Sequence, residues 1–457
     1  MPAHLLGIDV GTTFCKAVVV DAAGRVIAQH REPTPWTAVP TGAEVDPDAL
    51  AAAALRAATG ALAAAPAGRV AGVGVAGMAE TGVLLGAGGR AIAPAIAWHD
   101  RRGMEQAQDA AMDLGAEAFA RHTGLMPSPL CTLAKLAWQR RHVPAARRAH
   151  RWLGVPEWVA RRLGGDEVAE LSLASRTGLF DLHARAWWPG ALAWLDGPAS
   201  LFADPTPAGT CVGRVGDALP AARGAAIAVA GHDHLVAMVG AGATGDDDVL
   251  HSAGTAEAFV RTSAAHLPPQ RVQEAVAGGV SVGWHVVPDR WALLSGGELS
   301  VPLSGVARML GLDSREARDR VDAAANALPE TEPRPRLEGL DGTGELTLRG
   351  IEAGTTPAHV WRAAVDAAAA LGEAALGRSD AVAGAHTRIV AVGGGVRGDA
   401  VRAAKERRLG IIDWSPVREA TARGAALLGG LAAGAIETWD DLGRVARTAP
   451  VGDVAQV

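Results

Sequence analysis

Apolar positions in this chain fall into short continuous runs that end in glycine-rich turns, which predicts buried strands alternating with helices. Residues 5 to 20 read LLGIDVGTTFCKAVVV: an apolar strand, Asp9, a Gly-Thr-Thr turn, and a second strand carrying Lys16. After a polar segment at 31–48, Asp46-Pro47 opens a helix over 47–65, with an acid suited to the N-cap and proline in the first turn. RVAGVGVA at 69–76 predicts a buried strand, and 81–86 a short one. Residues 103–122 and 129–142 read as amphipathic helices. In the latter, Leu133, Leu136 and Ala137 share a face, and Arg140 and Arg141 sit near the C-terminus, where the helix dipole favours cations. The strand AAIAVA at 225–230 leads into GHDHLVAMVGAG.

The pattern then restarts. VLHSAGTAEAFVRT at 249–262 is again strand, Gly-Thr turn, strand. A long helix covers 357–376, RIVAVGGGV at 388–396 is a strand entering a triple-glycine turn, and helices follow at 398–408 and 417–434. The last is rich in alanine and glycine, a composition suited to close packing. The Pro- and charge-rich stretch 329–345 predicts an exposed loop. The prediction is an α/β chain divided near 242–246 into halves 1–243 and 244–457.

Composition narrows the class. The 457 residues are 49% hydrophobic and 20% charged, which is globular rather than disordered. The net charge of −6 speaks against nucleic acid as the main partner, while leaving room for a local phosphate pocket. Cys15, Cys131 and Cys211 are odd in number and far apart, neither a disulfide framework nor a zinc pattern. A reducing cytoplasm is the expected setting. No stretch reads as a leader or a membrane span, since 49–65 is interrupted by Arg56, Thr59 and Gly60.

Three turns at strand ends, 9–13, 252–255 and 393–395, suit nucleotide phosphates. In the first, Asp9 suits a hydrated Mg²⁺, Gly11 lets a phosphate approach the backbone, Thr12 and Thr13 add donors, and Lys16 adds charge. An ordinary hairpin turn with an exposed acid explains the same residues. No Walker G-x-x-x-x-G-K-[ST] and no protein-kinase signature set is present. Asp233, in Gly-His-Asp-His after a buried strand, fits a general base for a hydroxyl attacking phosphorus, or a helix N-cap. His232 and His234 invite a metal reading, but no third ligand is evident. The segment 77–102 ends in Trp98-His99-Asp100-Arg101-Arg102, polar groups with an aromatic wall that suit a polyhydroxy ligand or a charged hairpin end. Ser172, Ser175 and Thr177 in ELSLASRTGLFD read as turn residues.

Taken in order, these segments resemble the FGGY family of carbohydrate kinases, most nearly its xylulokinase-like members, over nearly the whole chain. GIDVGTTFCKAVVVD resembles the first phosphate motif. GMAETGVLL with PAIAWHDRR resembles the sugar segment, and ELSLASRTGLFD the "T-D-x-S-x-A-S-x-T" segment. AGHDHLVAMVGAG resembles the segment of the catalytic Asp, and HSAGTAEAFV the second phosphate motif. AVGGGVRGDAVRAAKERRLG with SPVREATARGAALLG resembles the adenosine motif and its helix.

The resemblance implies two actin-like, RNase H-type domains with the active-site cleft between them, and ATP- and Mg²⁺-dependent phosphorylation of a sugar or polyol. It makes Asp233 the base and places Asp9, with Asp233, near the metal. Gly11, Thr12, Thr13, Lys16, Gly254 and Thr255 would face phosphates, and Gly394, Gly395 and Val396 would border the adenosine. Met78, Ala79, Glu80, Trp98, Asp100 and His234 would fall on the sugar side. Departures concern the substrate. Gly77-Met78-Ala79-Glu80 stands where xylulokinases have "Q-M-H-G", whereas Glu80-Thr81 match the glycerol-kinase "Q-R-E-T" with Ala79 at the Arg position. His234 replaces an Asn or Gln, and Glu170 an Asp. D-Xylulose is the expected substrate, with another polyol such as glycerol or a tetritol, a non-sugar acceptor, or a non-catalytic sugar sensor as alternatives. A homodimer is compatible with the resemblance; nothing in the sequence requires one.

Overall fold

Leu6, Ile8 and Val10 point to one side of the first strand and Gly7 and Asp9 to the other, and this alternation organises the larger of two units. The computed structural model describes residues 3–253, 257–297, 300–329, 335–340, 345–393 and 398–448. They form two compact units, neither continuous in sequence. One comprises 1–244, 262–292 and 419–457, the other 245–261 and 293–418.

The first unit is built on a five-stranded sheet in the order Ala226–His232, Arg69–Gly77, Ala3–Val10, Phe14–Val20, Val26–Pro33. The first two are parallel to Ala3–Val10; the other two continue it as an antiparallel meander. On one face, Leu6, Ile8, Val10, Val73 and Val75 pack against the helices Pro47–Ala64 and Val155–Leu163. The former is capped as its sequence predicts, Asp46 accepting from Ala49 N at 2.8 Å. On the other face the sheet presents Gly7, Gly72 and Gly74 to the helix Ala420–Ala432. A Cβ at these positions would lie 1.7 Å from Ala422 O, 2.0 Å from Gly429 O and 1.8 Å from Ala425 O. The same helix lies flush on the helix Asp233–Ala241, where a Cβ at Gly240 would lie 1.8 Å from Ala420 O. The close packing expected of 417–434 is therefore present. Arg423, buried in this layer, donates to the carbonyls of Gly24, Gly240, Val445 and Ala446.

The second unit repeats the plan. Asp248–Ala253 pairs antiparallel with Glu257–Ser263 and parallel with Arg388–Val392, which in turn is parallel to Ile412–Trp414. Val249, Phe259, Ile389 and Ala391 pack with Ala375 and Leu376 of the helix Pro357–Ala383 and Leu409 of the helix Asp399–Leu409. The restart seen in the sequence is thus a restart of topology.

Two local expectations change. The predicted helix 103–122 is two, Met104–Asp113 and Ala116–Thr123, broken at Gly115 with φ 77°. Within the predicted loop 329–345, Arg336–Glu338 pairs with Thr347–Arg349 as a short hairpin. Leu337 and Leu340 anchor it by packing on Val360, Ala364 and Ala368 of the long helix. No helix among the described residues is long and apolar enough to cross a membrane, and the three cysteines are unbridged.

Candidate active site

The turn after the first strand is held from three directions. Gly11 N donates to Phe14 O at 3.2 Å, closing the turn. Thr34 Oγ1 donates to Gly11 O at 2.8 Å, and Trp36 Nε1 to Thr12 O at 2.6 Å. Trp98 Nε1 donates to Thr12 Oγ1 at 2.9 Å, so a residue expected on the sugar side is bonded directly to the turn expected to face phosphates. Thr13 is exposed at the tip.

Asp9 lies opposite Lys16 in the strand register, on the face that receives the helix Ala420–Ala432. Lys16 Nζ contacts Glu419, which precedes that helix, at 2.8 Å. Asp9 is buried, and its Oδ1 has no hydrogen-bond partner among the described residues. Burial raises its pKa to about 7; Lys16 opposes the rise, and the charges of Asp233 and Glu419 add to it. Lys16 moves upward because Asp9 and Glu419 outweigh its own desolvation.

Asp233 begins the helix Asp233–Ala241, and His232 is the N-cap. The N-cap alternative for Asp233 is therefore off by one residue. Three groups converge on Asp233 Oδ1: the His234 amide and Nδ1, each at 2.7 Å, and His232 Nε2 at 3.2 Å. Among the described residues, Oδ2 takes no hydrogen bond. Burial works to raise the pKa of Asp233, but the charge and hydrogen bonds of His234, with the charge of His232, hold it well below the usual carboxylate range. Thr421 Oγ1 donates to Asp233 O at 3.3 Å, so the helix Ala420–Ala432 meets this element directly. The three residues 232–234 bring ligand-type atoms within 4.8 Å of one another, the one such cluster among the described residues.

The sugar-side candidates lie nearby in the same unit. Met78 and Ala79 are buried. Glu80 adopts φ 61° and is paired with Arg176 Nε at 2.7 Å, while Arg176 also donates to Ser281 Oγ at 3.1 Å. Both Glu80 and Arg176 act electrostatically on His232 and His234. Asp100 is fully buried; its carboxylate receives Ala43 N at 3.0 Å and the Arg102 guanidinium at 2.8 Å. Glu170 caps the short helix Leu171–Ala174 and receives Ser172 Oγ and Leu173 N. Gly254, Thr255, Gly394, Gly395 and Val396 lie outside the described residues. Just beyond the first pair, Glu257 receives Lys405 Nζ at 2.5 Å and lies 2.8 Å from His251 Nε2.

Glu419, Arg176 and the Glu170–Ser172 pair are contacts the sequence did not single out as partners. Glu419 and Arg176 sit within the quoted segments SPVREATARGAALLG and ELSLASRTGLFD, but nothing local pairs them with Lys16 and Glu80.

The residues also fit a divalent cation. A buried, under-bonded Asp9 oxygen beside an ionised Asp233 is an arrangement whose charge a cation would compensate.

A family model for the N-terminal domain of the FGGY family of carbohydrate kinases matches residues 4–240. The chain belongs to this family. A glycerol kinase of Leptothrix cholodnii is 32% identical over 96% of this chain and 93% of its own. A xylulose kinase of Streptomyces coelicolor is 30% identical over 97% and 90%. Among solved structures, the xylulose kinase of Rhodospirillum rubrum superposes with a TM-score of 0.85 at 25% identity, covering 96% of this chain and 92% of that one. The FGGY fold is the two-domain actin-like α/β fold, and this member is an ATP-dependent phosphotransferase with an alcohol group as acceptor.

Proposed function

We propose that this FGGY kinase phosphorylates a hydroxyl of a small sugar or polyol, with a ketose such as D-xylulose as the leading candidate. The observation that carries the reading is Asp233. Its Oδ1 is tied by three contacts from the flanking histidines, and its charge is held on at neutral pH. Oδ2 is then the atom that takes the acceptor proton as the hydroxyl oxygen attacks the γ-phosphorus and the bond to ADP breaks. The turn at Gly11, Thr12 and Thr13 and the charge of Lys16 support the phosphate side, and Gly254 and Thr255 are assigned to the same task. Gly394, Gly395 and Val396 are assigned to the adenosine. Mg²⁺, held by Asp9 and Asp233, would supply positive charge to the transferring phosphoryl group. Met78, Ala79, Glu80, Trp98, Asp100 and His234 are assigned to the acceptor side. The cytoplasm is the proposed setting, and a homodimer is compatible with this reading.

A second substrate reading, glycerol or a tetritol, is favoured by Glu80. Its carboxylate is positioned by Arg176 close enough to act on both histidines, and several relatives are glycerol kinases. The deciding experiment is a coupled ADP-release assay across ketopentoses, ketohexoses, pentitols, tetritols and glycerol. Turnover confined to ketoses supports the first reading, and preference for glycerol or a tetritol the second. Phosphate transfer to no member of the panel overturns both.

A further inference from the structure

We infer that Ser172, braced by Glu170, is a positioning residue that fixes the backbone joint carrying Asp233; this rests on the assignment of Asp233 as the base. The strand Ala226–His232 does not run straight into the base. Its register against Arg69–Gly77 shifts between Val229 and Gly231, and Gly231 takes φ 115°, a conformation L side chains rarely adopt. A joint of this kind keeps one conformation only when its surroundings over-determine it.

Ser172 supplies that constraint. Its Oγ accepts the His232 amide at 3.0 Å and donates to Glu170 Oε2 at 2.5 Å. Glu170 Oε2 also receives Leu173 N at 3.0 Å, and the Glu170 amide donates to Glu157 Oε1 at 2.8 Å. Glu157 Oε2 in turn receives Gly154 N at 2.5 Å. A continuous set of bonds thus runs from the start of the helix Val155–Leu163 to the residue before the base. All three side chains are at most 2% exposed. A Cβ at residue 231 would stand 2.6 Å from Ser172 Oγ and 2.9 Å from Glu170 Oε2, so the brace lies directly against the joint. Burying two carboxyl groups here is costly, and packing alone needs neither.

Ser175 provides a matched control. It is equally buried, in the same segment, donating to Leu171 O at 2.7 Å and accepting Trp284 N at 3.0 Å, without touching the joint. The test compares Ser172→Ala, the near-isosteric Ser172→Cys, and Ser175→Ala. Both Ser172 variants are expected to lower kcat roughly ten- to hundredfold, the effect of a small misplacement of a reacting group. KM for ATP should stay within about twofold, because the phosphate turn is untouched. Amide exchange at His232 should accelerate in both. Ser175→Ala should lose comparable thermal stability with kcat retained. Equal kcat losses in Ser172→Ala and Ser175→Ala, or wild-type kcat in both Ser172 variants, overturn the inference. Should Ser172→Ala not fold, Ser172→Cys alone decides. If the wild type phosphorylates nothing in the panel, the kinase assignment fails separately; unchanged exchange at His232 would then overturn the brace on its own.

Discussion

Asp233 is kept charged by its neighbours against the pull of its own burial. That places the catalytic prediction at a single side chain. Asp233→Asn keeps the shape and removes the proposed base, so kcat should fall roughly 10²- to 10⁴-fold, far more than any change in ATP affinity by calorimetry. Lys135 offers a residue-scale test of stability. It is buried and donates to the carbonyls of Pro129 and Leu130 at 2.8 and 2.7 Å, and burial brings its pKa down to about 8. The folded state therefore binds fewer protons than the unfolded chain from about pH 8 to the ordinary lysine range near 10.4, so this residue makes stability rise with pH over that window. Below pH 8 the cost of carrying the buried charge is constant. Denaturation of wild type and Lys135→Met across pH 7–10.5 should show a difference that shifts in favour of the wild type on the alkaline side. The shift should be on the order of 3 kcal/mol. A pH-independent difference would remove the argument. At this scale the sequence was informative wherever chemistry is local. Asp9, Lys16 and Asp233 are conspicuous in their own turns, whereas Glu419 becomes the partner of Lys16 only once the far end of the chain is folded back.

Among the elements, the helix Ala420–Ala432 is the most exacting, because it approaches the sheet to a distance that only glycine allows at residues 7, 72 and 74. Gly74→Ala puts a methyl 1.8 Å from Ala425 O, and backbone cannot step aside cheaply. A loss of about 3 kcal/mol or more is expected, read as a lowered urea midpoint. Gly377→Ala is the opposite case: the residue is exposed on the helix Pro357–Ala383, and an added Cβ meets nothing within 4 Å. It should stabilise by about 0.5–1 kcal/mol, since glycine in a helix interior carries a larger entropic cost than alanine. Equal midpoints for the two variants would contradict the packing described. The sequence made these elements visible because apolar runs, caps and turns are local signals. It did not reveal which face of RVAGVGVA is the glycine face, since that depends on what packs there. Nor did it separate the helices at Gly115, where the amphipathic pattern continues across the break.

For the whole molecule, continuity in space and continuity along the chain differ. The first unit draws on 1–244, 262–292 and 419–457, so the helix that covers its glycine face and the residues Glu419, Thr421 and Arg423 come from the last of these segments. A fragment of residues 1–244 therefore has Asp9 and Asp233 but an uncovered sheet. It should unfold without a cooperative transition by circular dichroism and show no phosphotransferase activity. Co-expressing residues 245–457 should restore at least part of both. A cooperative, active 1–244 fragment would refute this. The repeated sheet plan could be read from the sequence because both hairpins carry the same strand–turn–strand pattern. The return of the helix Ala420–Ala432 could not, because helix propensity says nothing about the sheet on which a helix comes to rest.

The hydrogen bond from Thr421 to the carbonyl of Asp233 joins residues 188 positions apart. In a growing polypeptide, Asp9 and Asp233 leave the ribosome long before Glu419 and Thr421 have been translated. The unit that holds both aspartates therefore stays unfinished through much of synthesis, and a nascent chain that already carries them still lacks the helix that packs against the strand of one and the helix of the other.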